Sequence, residues 1–220
     1  MGYSVEVERG IKLYVEDTGE GIPVLMVHGW PLDHRMYEYQ VALLPSYGYR
    51  CIQVDLRGFG VTQLILLGAA TPRFTPSSDF PQGTPVTEVD KLIKQAYTDR
   101  PQLVTSFGEL LFANPVSQSF GDWIRDQGFA SSVHSMAFTL YSLRDSDLRK
   151  ELTHIRVPTW ILHGKLDQVC PFPLAVETQK GIAGSRLIPF ERSGHAVFYD
   201  ALPEFNSTLL SILSQPSPMP

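Results

Sequence analysis

The stretch Val24-Leu25-Met26-Val27-His28-Gly29-Trp30-Pro31 decides how the chain is organised. Four consecutive apolar residues read as a strand buried on both faces, and the glycine and proline behind them read as its turn. Downstream, Asp33 stands where a helix cap belongs. Met36, Val41, Leu43 and Leu44 then supply an apolar helical face that ends near Gly48. Residues 51–54 read as another short buried strand. Strand, helix, strand in that order builds a parallel sheet with helices packed on it. Upstream, Val5 and Val7, then Ile11, Leu13 and Val15, alternate with polar residues on either side of Gly10. That is the pattern of a half-buried antiparallel hairpin at the start of the sheet.

A third buried run, residues 64–67, follows closely. Residues 71–154 are rich in proline, serine and aromatics, with helical patches at 86–97 and 107–112, and read as a helical insertion over the sheet. The βα rhythm then resumes, with strands expected at 159–162 and 186–190 and helices at 174–180 and 205–213. The Pro/Ser-rich tail from Ser214 reads as frayed. The expected fold class is α/β with a mostly parallel sheet, as a single domain over residues 1–220 with a lid insertion at 71–154.

A chain of 220 residues with 43% hydrophobic and 19% charged residues has the make-up of one ordinary globular core. Its net charge of −5, without a lysine/arginine cluster, argues against nucleic acid as a partner. No apolar run approaches the roughly 18 residues of a membrane span, so no membrane partner is expected. The opening residues lack the basic and apolar regions of a signal peptide. A cytoplasmic protein is expected, with Cys51 and Cys170 as buried free thiols. The histidines show no ligand spacing, and there is no Cys-x-x-Cys and no glycine-rich phosphate loop. No metal and no cofactor are therefore expected.

Three short constellations carry chemistry. His28-Gly29-Trp30-Pro31 follows a buried strand, and a glycine there lets the backbone present an N–H to a developing oxyanion; the plain alternative is a tight turn. His163-Gly164-Lys165-Leu166-Asp167 ends a strand, where a carboxylate either orients a histidine or caps a turn. Ser193-Gly194-His195 lies just past the C-terminal end of a strand, the edge at which functional groups of open α/β sheets gather.

Taken together, the order oxyanion turn, acid, histidine is similar to that of α/β hydrolases, whose triad runs Ser, Asp/Glu, His along the chain. The chain resembles this family over nearly its full length, and looks nearest to the cofactor-free (non-haem) haloperoxidases and related esterases. The resemblance is carried by Val27-His28-Gly29-Trp30-Pro31-Leu32, Tyr37-Glu38-Tyr39-Gln40-Val41, Gly48-Tyr49-Arg50, Asp55-Leu56-Arg57-Gly58-Phe59-Gly60, Leu162-His163-Gly164 with Asp167, and Ser193-Gly194-His195. It implies a serine hydrolase acting on a small acyl substrate. In that implied site the backbone N–H of Trp30 is an oxyanion donor, Asp167 the acid and His195 the general base, with the insertion shaping the acyl pocket.

The family pattern then breaks. After Asp-Leu-Arg-Gly-Phe-Gly the family continues with a helix, a strand, the nucleophile elbow Gly-x-Ser-x-Gly and its helix, before a strand resembling Gln63-Leu64-Ile65-Leu66-Leu67-Gly68. Here Gly60 runs directly into Val61-Thr62-Gln63. Two βα units, on the order of 50 to 60 residues, are absent, and with them the nucleophile and the second oxyanion N–H. The remaining connection, residues 57–63, reaches about 25 Å at most, taut for a parallel return past a strand about 20 Å long. The expectation is a deletion form, inactive or nearly so, that self-associates through exposed sheet edges. Two alternatives stand beside it. One is an active hydrolase that uses a substitute serine, with Ser119 in Ser117-Gln118-Ser119-Phe120-Gly121 the closest pattern, or that uses a complementing chain. The other is a non-catalytic binding module that keeps the pocket.

Overall fold

The computed structural model describes residues 2–8, 11–29, 33–54 and 63–215. Two compact units emerge, residues 1–60 and 61–220, where the sequence pattern suggests one domain over 1–220.

In the first unit, β1 (Gly2–Glu8) and β2 (Ile11–Thr18) form the expected antiparallel hairpin. β3 (Ile22–Val27) and β4 (Tyr49–Val54) run parallel, β4 also pairs antiparallel with β2, and the strand order is β1-β2-β4-β3. Asp33 caps the crossover as its position suggests, its carboxylate accepting the Arg35 N–H at 3.0 Å. The crossover is less regular than one helix. A 3-10 turn (His34–Tyr37) leads into α1 (Glu38–Leu43) and a second 3-10 turn (Leu44–Tyr47) before Gly48. Pro45 sits at the start of that last turn and has no N–H with which to continue the α-helical ladder. Met36, Tyr37, Gln40 and Leu44 are buried, and the Tyr37 hydroxyl donates to the Val27 carbonyl at 2.7 Å, fixing the crossover to the end of β3.

One expectation is overturned here. β3, including residues 24–27, is not buried on both faces: Ile22 (63%), Leu25 (38%) and Val27 (40%) are exposed, and Met26 is its buried residue. The cause is pairing. Among the described residues β3 has β4 on one side and no strand on the other, so it is an edge.

The second unit opens with β5 (Leu64–Leu67), which is half-buried along its length rather than fully buried as its apolar run suggests. The insertion follows as α2 (Val86–Thr98), α3 (Arg100–Leu110), α4 (Gln118–Ala130), α5 (Val133–Asp145) and the short α6 (Arg149–Leu152). Side-chain oxygens of Asp99, Ser117 and Ser132 cap α3, α4 and α5. The insertion leaves and returns at adjacent points. The Leu148 N–H donates to the Pro72 carbonyl at 2.8 Å and the Thr75 hydroxyl to the Arg144 carbonyl at 2.7 Å.

The chain then completes the parallel order β5-β6-β7 with β6 (Thr159–Gly164), α7 (Phe172–Gly181), β7 (Arg186–Phe190), α8 (Val197–Asp200) and α9 (Leu202–Leu213). β6 is central and buried at every residue. Ile161, Leu162, Leu174, Phe190 and Phe205 make the core around it, with the Phe190 and Phe205 rings 6.2 Å apart. Cys51 and Cys170 are buried free thiols. No helix among the described residues is long and apolar enough to cross a membrane.

Candidate active site

β6 delivers its last residues to the edge where the strand ends, and the chain there is held by the loop that follows β7. The Lys165 N–H donates to the Phe190 carbonyl at 2.9 Å and the Leu166 N–H to the Ser193 carbonyl at 3.0 Å. These bonds bring the β6 turn, which carries Asp167, against the β7 loop, which carries His195. His195 Nδ1 lies 2.9 Å from Asp167 Oδ2. An ionised carboxylate only accepts, so Nδ1 carries the proton and Nε2 is left as the basic nitrogen. The Asp167 side chain is sealed from solvent while the His195 ring keeps 21% exposure.

The carboxylate is fully employed. Its Oδ1 accepts the backbone N–H groups of Val169 and Cys170, both at 2.8 Å. Its Oδ2 serves His195 and also faces Nε2 of a second histidine, His163, at 3.2 Å. Burial pushes the Asp167 carboxyl upward, but the hydrogen bonds from His163, His195 and the Cys170 N–H outweigh it and bring it down to about 2. His163 is wholly buried in β6, and its Nε2 lies 2.7 Å from the Cys170 carbonyl. A carbonyl only accepts, so the His163 proton sits on Nε2. The Cys170 thiol, buried and beside the Asp167 charge, is pushed well above its ordinary value and stays protonated at neutral pH.

β5 contributes to the same place. Gly68, at its C-terminal end with φ +50°, lies against the His195 ring: a Cβ there would stand 2.9 Å from Nδ1 and 3.0 Å from Cε1. A side chain at position 68 would force the His195 ring or the end of β5 to shift.

Chemically, a partly exposed imidazole whose Nδ1–H is held by a buried carboxylate is arranged to take a proton on Nε2 from a hydroxyl or a water and return it. Of the residues singled out in the sequence, the structure brings Asp167 and His195 together. His28 and Gly29 follow β3 in the first unit, and the Gly29 N–H is engaged by the Met36 sulfur at 3.2 Å. Trp30 and residues 55–62 lie outside the described residues. Ser119 is exposed in the first turn of α4, and Ser117 is the cap of that helix, accepting the Phe120 N–H at 3.3 Å. It follows a loop, not the end of a strand. Sequence reasoning gave no role to His163 or Gly68. A histidine inside an otherwise apolar strand, four residues before the acid, was the available signal for the first.

A relative from Bacillus subtilis (strain 168), the AB hydrolase superfamily protein YisY, is 34% identical in an alignment that takes in 95% of this chain and 98% of its own. The chain belongs to the α/β-hydrolase superfamily. Among solved structures, an esterase from Exiguobacterium antarcticum matches this chain with a TM-score of 0.93 and 36% identity, over 98% of this chain and 100% of its own. A bromoperoxidase from Bacillus anthracis matches with a TM-score of 0.89 and 25% identity over the same shares. No family model matches the chain. The hydrolase superfamily thus includes esterase and haloperoxidase relatives of this chain, and its fold accounts for the parallel strand pairs and the helical insertion described above.

Proposed function

We propose that the chain is a deletion form of a serine hydrolase of small acyl esters, within one domain over residues 1–220 whose lid is 71–154, and that it turns over such esters weakly or not at all. Asp167 and His195 are the acid and base of the parent reaction. His195 would deprotonate a serine and then a water, Asp167 would hold its tautomer, and the backbone N–H of Trp30 would meet the oxyanion. The serine is what the chain lacks. A cytoplasmic setting fits the two unpaired buried thiols.

The observation that carries this reading is the shortness of the connection between β4 and β5. β4 ends at Val54 and β5 starts at Leu64, so only nine residues of sequence join them where the family resemblance implies the nucleophile-bearing units. A βαβ unit takes about 30 residues or more, and a βα unit correspondingly fewer. No Gly-x-Ser-x-Gly occurs anywhere in the 220 residues. The alignment with the Bacillus subtilis relative runs over 262 positions but draws on 95% of this chain. That leaves about 50 positions with no residue here, close to two such units.

The test is turnover of short p-nitrophenyl esters by wild type against His195→Ala. The two are expected to be indistinguishable, because triad members act as a unit and their rate is lost together. Wild-type turnover clearly above the variant overturns the inactive reading.

One observation favours a second reading, an active enzyme with Ser119 as nucleophile. Phe120 stacks on Tyr199 with ring centroids 3.7 Å apart, which draws the first turn of α4 to α8, the helix directly after His195. A fluorophosphonate adduct mapped to Ser119 and lost in His195→Ala would establish it. Labelling elsewhere, or none, removes it.

A further inference from the structure

The loop that carries His195 is held by the insertion as well as by the sheet. Asp200, the last residue of α8, accepts the Gly194 N–H at 2.6 Å and the Ala113 N–H at 2.8 Å on the same carboxylate oxygen. Its other oxygen lies 3.4 Å from the Asn114 N–H. Two more bonds join the same segments: the Ala196 N–H donates to the Leu111 carbonyl at 2.8 Å, and the Asn114 side-chain amide to the Arg192 carbonyl at 3.0 Å. The approach is close enough to dictate a residue type. A Cβ on Gly194 would stand 2.8 Å from the Ala113 nitrogen and 3.0 Å from the Leu111 oxygen, so the glycine before His195 is required by the insertion passing over it.

The Asp200 carboxylate spends its acceptors on two segments, the loop six residues before it and the 111–114 segment 87 positions away. Charge-assisted bonds of this kind are roughly twice as strong as neutral ones. One of them lands on the residue immediately before the imidazole, where loss of backbone freedom constrains the ring most.

We propose that Asp200 is a positioning residue that locks the His195 loop to the 111–114 segment of the insertion, so that His195 keeps its bond to Asp167 only while that segment is in place. The lid and the base then move as one body. In catalytic terms this rests on the reading of His195 as the base, but the lock itself is a matter of geometry and can be tested without turnover.

The test is hydrogen–deuterium exchange on the full chain, with NMR detection of the His195 Nδ1 proton that Asp167 holds. In Asp200→Ala, exchange in the segments 111–114 and 193–196 is expected to rise together by about tenfold or more, and the Nδ1 proton signal to disappear. In Asp200→Asn the amide oxygen still accepts both N–H groups, and both readouts are expected to return towards wild type. A purely structural role would lower the melting temperature of Asp200→Ala while leaving the Nδ1 signal intact, and that result overturns the proposal. So does unchanged exchange in either segment. If Asp200→Ala fails to fold, the wild-type protein decides: Gly194 and Ala113 amides that exchange as freely as exposed loops overturn the lock, and matched slow exchange supports it. Failure of the catalytic reading, seen as ester turnover that survives His195→Ala, leaves these readouts untouched.

Discussion

β6 and β3 are each six residues long, built around an apolar run and paired in parallel, yet their surroundings differ completely. β6 lies between β5 and β7 and is buried at every position. β3 has β4 on one side and no strand on the other among the described residues, and turns Ile22, Leu25 and Val27 to solvent. An apolar run therefore states what a strand needs rather than what it receives, since cover comes from neighbouring strands and the helices that connect them. The chain supplies β6 with its neighbours through two intact βα connections. Between Val54 and Leu64 it supplies less than one.

The largest expected effect measures this contrast directly. Ile161 in β6 is wholly buried, so Ile161→Ala should cost about 2 to 5 kcal/mol in transfer energy and residual cavity. Leu25→Ala in β3 removes a side chain that is 38% exposed and should cost less than about 1 kcal/mol. Denaturant midpoints of the two variants check both figures. Equal losses would mean that β3 is covered in solution and would break the comparison.

A smaller effect sharpens the site. His163→Phe keeps the ring volume in β6 but removes the donor that serves the Cys170 carbonyl and Asp167. A buried acceptor left without its partner costs about 1 to 3 kcal/mol. The Asp167 carboxyl should also rise towards the ordinary carboxylate range, since one of the bonds that lowers it is gone. A carbon-detected NMR titration of Asp167 reads that rise. An unmoved carboxyl would leave His163 as packing alone.

Acid titration separates the two units. The Asp167 carboxyl is near 2 in the folded state against about 3.8 ordinarily, so unfolded chains bind its proton first as the pH falls. Its contribution, roughly 2 kcal/mol, is present above about pH 5 and is lost progressively down through pH 2. Asp167→Asn should abolish that slope. In the first unit, Asp17 is likewise lowered, by its hydrogen bond and charge pairing with Arg50, but that pair lies at the surface. Added salt should therefore flatten the part of the acid slope due to Asp17 and spare the part due to Asp167. A slope that salt removes entirely would place it outside the buried site.

These contrasts also explain what the residues could and could not disclose. Strand positions were legible because apolar runs are punctuated by glycine and proline, and the Asp33 cap because capping is local. Asp167 and His195 were legible as a pair from the order of their motifs. The exposure of β3 and the half-burial of β5 were not, because both depend on strands supplied elsewhere in the chain. His163 acquires its partners only when the chain turns back at Cys170. Asp200 meets Ala113 across 87 positions of sequence, beyond any periodicity or spacing rule.

The smallest expected change in stability carries the sharpest test of the β3 edge. Among the described residues no strand pairs with the outer side of β3, and an edge of that kind bearing exposed Ile22, Leu25 and Val27 is a template for pairing with another chain. Wild type is therefore expected to gain mass with concentration in light scattering. In Leu25→Lys the stem lies along the strand and the ammonium reaches water, so stability should change by no more than about 0.5 kcal/mol while association falls. A Tyr47→Lys control, at a residue 60% exposed on the second 3-10 turn rather than in β3, separates edge pairing from general solubility. Both substitutions move the net charge of −5 closer to zero, which by itself promotes association. A drop in mass with Leu25→Lys alone therefore points to the edge. Equal behaviour of the two variants removes edge pairing as the cause. A wild type that stays monomeric and melts sharply in the ordinary range of about 45 to 65 °C would show that the open edge of β3 is satisfied within the chain itself.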